Sequence, residues 1–176
     1  MTMKKFITLS IIAGLFFTNA CQAQPDKSKR PSPPAIVSQT INTGTTVSVD
    51  YSQPSLKGRT IGKDIEPMDG KVWRMGANEA TVFEADKDVT INGEKLPAGK
   101  YSLFGLVDGS NITLMFNTEW KTWGTNYEKN KEKDVLKVTV PVKTNDKLQE
   151  QLSYSIDKKG NVELLWGNMI VAFVVQ

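Results

Sequence analysis

Leu136-Lys137-Val138-Thr139-Val140-Pro141-Val142 is the stretch on which the fold turns. Its aliphatic residues recur at every second position, with a lysine, a threonine and a proline between them. A period of two is the repeat of a pleated strand that turns one face to a core, and a helix cannot present it to one side. The same rhythm appears on both sides of this stretch. Ile112, Leu114 and Phe116 alternate with Asn111, Thr113 and Asn117; Leu152, Tyr154 and Ile156 alternate with Ser153 and Ser155. Val47, Val49 and Tyr51 alternate with Ser48 and Asp50. The last run, Met169 to Val175, is apolar on both faces and reads as a central strand.

The segments between these strands carry turn chemistry. Asn92-Gly93 separates Val89-Thr90-Ile91 from Glu94-Lys95-Leu96, the strongest short hairpin signal. Asp108-Gly109 and Lys159-Gly160-Asn161 join further strand pairs, and Pro97-Ala98-Gly99 turns the chain into Tyr101. Only Asn145 to Gln151 leaves room for a short helix or turn. No internal repeat is present. The pattern predicts an all-β domain over residues 36–176, a single antiparallel β-sandwich of about eight to ten strands, with a jelly roll among its topologies.

Ahead of that domain the chain reads as an address. Lys4 and Lys5 precede an apolar run from Phe6 to Phe17, too short to span a bilayer and the right length for the core of a signal peptide over residues 1–20. Thr18-Asn19-Ala20-Cys21 follows. A small residue directly before a cysteine suits bacterial lipoprotein processing, in which Cys21 is lipidated and becomes the new N-terminus. Ordinary cleavage after Ala23 is the alternative, and gives a soluble secreted protein. Residues 21–35 hold Pro25, Pro31, Pro33 and Pro34 among polar residues, the composition of an extended tether. The expected location is the periplasm or the outer membrane, with the lipid anchor as the only attachment to a membrane.

Composition narrows the chemistry. The 176 residues suit one domain, and 39% apolar content with 22 basic against 19 acidic residues excludes a disordered charged polymer. Removing residues 1–20 takes Lys4 and Lys5 away and leaves a net charge of +1, so nucleic acid is not an expected partner. There is no histidine and a single cysteine, which excludes histidine-based acid–base chemistry, a disulfide within the chain and the common zinc sites. No cofactor or metal is expected.

Val72-Trp73-Arg74-Met75-Gly76-Ala77-Asn78-Glu79-Ala80-Thr81 breaks the alternation and gathers a guanidinium, a carboxamide, a carboxylate and a hydroxyl. Arg74 is a planar fork suited to a carboxylate or a pair of sugar hydroxyls, and Asn78 and Glu79 complete such a site. The competing reading makes the group a scaffold, with Arg74 paired to Glu79 or another acid. Arg59, in Lys57-Gly58-Arg59, is a further ligand candidate or a partner for backbone carbonyls. Trp123 and Tyr127, with Trp120, are stacking platforms if exposed and core plugs if buried. Glu79, Glu84 and Asp134 are the carboxylates available to a hydrolase, for which Arg59 or Arg74 would stabilise negative charge.

Tyr51-Ser52-Gln53-Pro54-Ser55-Leu56-Lys57-Gly58-Arg59, the Trp73–Thr81 string, Leu96-Pro97-Ala98-Gly99-Lys100-Tyr101-Ser102-Leu103, Trp123-Gly124 and Asp134-Val135-Leu136-Lys137-Val138 together resemble the bacterial family called domain of unknown function 2911. The resemblance runs from about Ser32 to Val175. It implies an exported protein and adds weight to Arg59, Trp73, Arg74, Asn78 and Glu79, which match the family's motif. Lys137 stands where the family commonly has arginine, and Met75 where threonine is common. The family brings no established activity, and fold does not fix function. The expectation is therefore a binding module of the cell envelope, with a glycan or an envelope peptide or protein as partner. A carboxylate-dependent hydrolase using Glu79 or Asp134 and a purely structural envelope protein are the alternatives.

Overall fold

The computed structural model describes residues 26–176; the expected signal peptide and the candidate lipidation site Cys21 lie outside the described residues. Ten strands follow in chain order: β1 (Pro34–Thr40), β2 (Thr46–Ser52), β3 (Val72–Trp73), β4 (Thr81–Ala85), β5 (Val89–Ile91), β6 (Glu94–Leu96), β7 (Gly99–Asp108), β8 (Asn111–Asn117), β9 (Asp134–Ile156) and β10 (Asn161–Val174). The fold is all-β and antiparallel. The main sheet runs β1-β2-β4-β7-β8-β9-β10, with β3 on β7, and β5 and β6 form a separate hairpin. Asn92-Gly93, Asp108-Gly109 and Lys159-Gly160 all sit in the turns where their backbone chemistry places them, between β5 and β6, β7 and β8, and β9 and β10.

The sheet curls because its last hairpin is long and bent. Asn145–Gln151 is not a helix but the middle of the 23-residue β9. Val142–Thr144 pair with Met169–Val171 of β10, and Ser153–Ile156 pair with Val162–Leu165, with register shifts on both sides of Gly167. Gly167 has φ of +58°, a conformation glycine adopts without strain, and such bulges bend a strand pair. The far half of β9 swings over to the chain leaving β2. There Leu56 N–H donates to Glu150 O at 2.9 Å and Leu152 N–H donates to Pro54 O at 3.0 Å. The inner surface of the curl holds the core. Phe83 and Phe116 meet edge to face at 5.3 Å, Phe173 lies 6.2 Å from each, and Tyr51 meets Tyr154 at 4.7 Å.

The outer surface divides in two. Ile36, Asp50, Val82, Ser102 and Asn117 form one outward row across β1, β2, β4, β7 and β8. The connection after β8 covers Ser102 and Asn117, and Tyr127 from that connection packs on Phe104 and Met115. The β1-β2-β4 end of the row stays open. Since Phe83 is fully buried between two aromatic neighbours, Phe116 and Phe173, Phe83→Ala should cost about 3–5 kcal/mol. Urea denaturation should show a lower midpoint with an unchanged slope.

Candidate functional site

The Trp73–Thr81 string is a tight corner between β3 and β4. Trp73 is buried, and its indole N–H donates to Gly76 O at 3.2 Å. Met75 is fully buried with φ of +54°, and Asn78 has φ of +61°. Thr81 Oγ1 and Tyr154 Oη donate to Met75 O at 3.1 and 2.8 Å. Burial and the neighbouring Tyr51 hold the Tyr154 phenol well above its ordinary pKa, so it stays a donor. Arg74 does not pair with Glu79. Its Nη1 donates to Asn78 O at 3.0 Å, and its Nη2 lies 3.9 Å from Glu66 Oε2. Gly124 packs directly on the Arg74 side chain, where a Cβ would come within 2.7 Å of Nε.

The two sets of candidate residues face different recesses. Arg59, Trp73, Arg74 and Asn78 line a shallow one of about 350 Å³. There Arg59 is spent on its own loop, with Nε donating to Leu56 O at 2.9 Å and Nη2 to Ser55 O at 2.6 Å. Glu79 and Trp123 line a groove of about 790 Å³ on the open outer face of β1, β2 and β4. That volume falls in the range of small-molecule sites, roughly 300–1,000 Å³.

Backbone pairing builds the groove's rim. Ala80 N–H donates to Thr122 O at 3.1 Å and Gly124 N–H to Asn78 O at 3.2 Å, so Glu79 and Trp123 form an isolated antiparallel bridge. Residues opposite each other in such a bridge project to the same side with Cβ atoms about 5 Å apart. Trp123 is 46% exposed, in contrast to Trp73 and Trp166 in the core. Ile36, 69% exposed, and Asp50 lie on the floor.

The opposite wall comes from the segment ahead of β1. A single turn at Lys27–Lys29 sets Arg30 Nη1 between the two Glu79 oxygens, at 3.0 and 2.8 Å, and Lys27 Nζ at 3.1 Å from Oε1. Asn78 Nδ2 donates to Ser32 O at 3.0 Å and Gln53 N–H to Pro33 O at 2.9 Å. Burial alone would raise the Glu79 pKa, but hydrogen bonds from its own backbone, Arg30 and Lys27 outweigh it and hold the carboxyl below its ordinary range. Asp50 moves the other way, raised by burial against Lys27 and with the Glu79 charge nearby. Among the described residues its carboxylate has no hydrogen-bond donor and no ion pair.

The remaining candidates lie elsewhere. Tyr127 is buried, its phenol donating to Asp134 Oδ2 at 2.7 Å, and it does not reach the groove. Asp134 also accepts from Asn117 Nδ2 at 2.8 Å and meets Lys137 Nζ at 3.1 Å, with its side chain only 5% exposed. Glu84 pairs with Lys100 at 3.0 Å. Trp120, named with Trp123 in the sequence, lines the groove too; Asp50, Lys27 and Arg30 also belong to it and were not among the sequence candidates. Asp50 was visible as the charged position on the polar face of β2; the docking of Lys27 and Arg30 had no signal in the sequence.

The family model described as Protein of unknown function (DUF2911) matches residues 32–175. The chain belongs to that family. No curated protein and no solved structure matches it. The DUF2911 span includes the corner, Trp123 and Asp50, and begins two residues after Arg30. The Arg30–Glu79 contact thus joins the family domain to the segment that precedes it. Among the described residues no helix is long and apolar enough to cross a membrane, and no three His, Cys, Asp or Glu side chains cluster as a metal site would need.

Because the folded Glu79 pKa is depressed below the ordinary 4.5, its ion pairs contribute above that pH and are lost as pH falls through the folded value. Partial exposure limits their worth to about 1 kcal/mol or less. Glu79→Gln at neutral pH should therefore speed tryptic cleavage after Lys27 and Lys29, while Tm falls by no more than about 4 °C. Tyr127→Phe should instead cost about 1–2 kcal/mol, because it strips a donor from the enclosed Asp134 carboxylate. Thermal denaturation of the two variants side by side checks both outcomes.

Proposed function

We propose that the protein is an exported, lipid-anchored binding module of the cell envelope, and that its ligand lies in the groove between β1, β2, β4 and the Trp120–Trp123 segment. The observation that carries this reading is the half-exposed Trp123 ring beside Glu79 at the edge of a groove with an unpaired carboxylate on its floor. An indole left in water on a domain that buries Trp73 and Trp166 is the usual mark of a contact surface. The export half of the reading is supported by the positive start, the short apolar run and the Ala20-Cys21 junction. At about 3.5 Å per residue, the chain from Cys21 to Arg30 reaches no more than about 30 Å. A lipid on Cys21 would thus hold the groove close to the membrane surface.

Binding is favoured over hydrolysis by what Glu79 does. Both of its oxygens accept from Arg30, and one also meets Lys27; these contacts hold the carboxyl below its ordinary pKa and make it a weak proton acceptor. Asp134 is enclosed by Tyr127, Asn117 and Lys137 and reaches neither recess. Within the groove, a reaction would rest on Asp50.

Two measurements test the proposal. In the native host, the wild-type chain should incorporate labelled fatty acid and sediment with membranes, and Cys21→Ala should release it to the soluble exported fraction. A wild-type chain that is unlabelled and soluble would leave cleavage after Ala23 as the processing route. Retention of the full chain on insoluble envelope material should fall at least about tenfold in Trp123→Ala. Unchanged retention, or a collapse of Tm in that variant, would make Trp123 a structural residue.

A further inference from the structure

We infer that the ligand of the groove is an uncharged saccharide, with a sugar ring lying on the Trp123 indole and its hydroxyls donating to Asp50. This deepens the binding-module reading and rests on it. The groove is lined by Lys27, Arg30 and Lys121 against Asp50 and Glu79, and the contacts within it leave little field to recruit an ion. Glu79 is neutralised by Arg30 and Lys27, and the Lys121 and Lys100 ammoniums lie 4.8 and 5.2 Å from the centre of the Trp120 ring. Three cations against two carboxylates leave the lining close to neutral, so a strongly cationic or anionic ligand would gain little from it.

What the groove leaves unmatched is specific. Asp50 offers acceptor lone pairs with no donor among the described residues. Arg30 places one guanidinium nitrogen on Glu79, and no hydrogen bond from its other terminal nitrogen is found among those residues. Trp123 offers a flat apolar surface, and Ile36 extends that surface across the floor. The ligand that fits needs an apolar face flanked by hydroxyls that both donate and accept, with no net charge. A pyranose ring has that form: its C–H face stacks on an aromatic ring, and its equatorial hydroxyls pair with a carboxylate and a guanidinium. Asp50 is exposed on β2, so its carboxylate is open to hydroxyls that enter the groove.

The test is a titration of the full chain, purified in detergent, followed by tryptophan emission and calorimetry. The probes are oligomers of N-acetylglucosamine, glucose and mannose, a soluble digest of envelope glycan, and tetralysine as the cationic control. A saccharide should bind with an affinity that changes less than about twofold between roughly 0.05 and 0.5 M salt. Asp50→Asn and Trp123→Ala should each weaken it at least about tenfold with Tm nearly unchanged, and Arg59→Ala should leave it as it was. Salt-sensitive binding of tetralysine that needs Asp50, with no saccharide bound, would overturn the saccharide while keeping the groove as the site. If no saccharide binds but Trp123→Ala still releases the chain from envelope material, the saccharide falls and the binding module stands. If neither is seen, both fall.

Discussion

The carbonyl of Met75, buried between β3 and β4, accepts from Tyr154 Oη at 2.8 Å and from Thr81 Oγ1 at 3.1 Å, and the placement of everything on the outer face follows from those two bonds. They use both lone pairs of a carbonyl that has no access to water, and leaving such a group unpaired costs about 1–3 kcal/mol. Tyr154 stands on the far half of β9, so the bond ties the corner to the part of the hairpin that the Gly167 bulge folds over the sheet. Met75 itself sits in a left-handed conformation that costs a non-glycine residue on the order of 1 kcal/mol. The corner persists because Trp73, Arg74 and Gly124 enclose it, and Asn78–Ala80 then leaves it at the height where Thr122–Gly124 can pair with it.

The corner and the groove therefore have separate roles. Arg74 and Asn78 hold backbone carbonyls in register, Arg59 does the same for its own loop, and none of the three has much capacity left for a ligand. Glu79 belongs to both. Its backbone is part of the corner, and its side chain receives the segment ahead of β1. That segment turns a flat sheet face into a groove, because without Arg30 and Lys27 only the Trp120–Trp123 side would have a wall. A contact worth no more than a surface ion pair in stability can still decide whether a ligand meets a surface or a cleft.

The strands were legible because their apolar residues alternate, and the hairpins because Asn92-Gly93, Asp108-Gly109 and Lys159-Gly160 demand turn geometry. Asn145–Gln151 was not legible, since Asp146, Lys147, Gln149 and Glu150 carry no alternating pattern. Their extended form comes from pairing with β10 and with Pro54–Leu56, partners remote in sequence. The site was legible in part. The Trp73–Thr81 string stood out as irregular, but a polar cluster on one loop does not say which side chains point inward. Arg74 turned out to hold the loop and Glu79 to face the groove. Asp50 looked like any polar residue on a solvent face, because the sequence does not say that β2 lies between β1 and β4. Lys27 and Arg30 stood in proline-rich chain whose composition reads as a spacer, and only the geometry of Glu79 gives them a place.

The decisive measurement is hydrogen exchange of the full chain, with and without a soluble digest of envelope glycan. In the free protein, the hydrogen-bonded amides of Ala80 and Thr81 and those at residues 152–156 should exchange only through global unfolding. Adding the digest should slow exchange at residues 30–36, 50–52 and 120–124 and nowhere else. Protection centred instead on residues 57–68 and 74–78, around Arg59 and Arg74, would place the ligand in the other recess and contradict the assignment of the corner as scaffold.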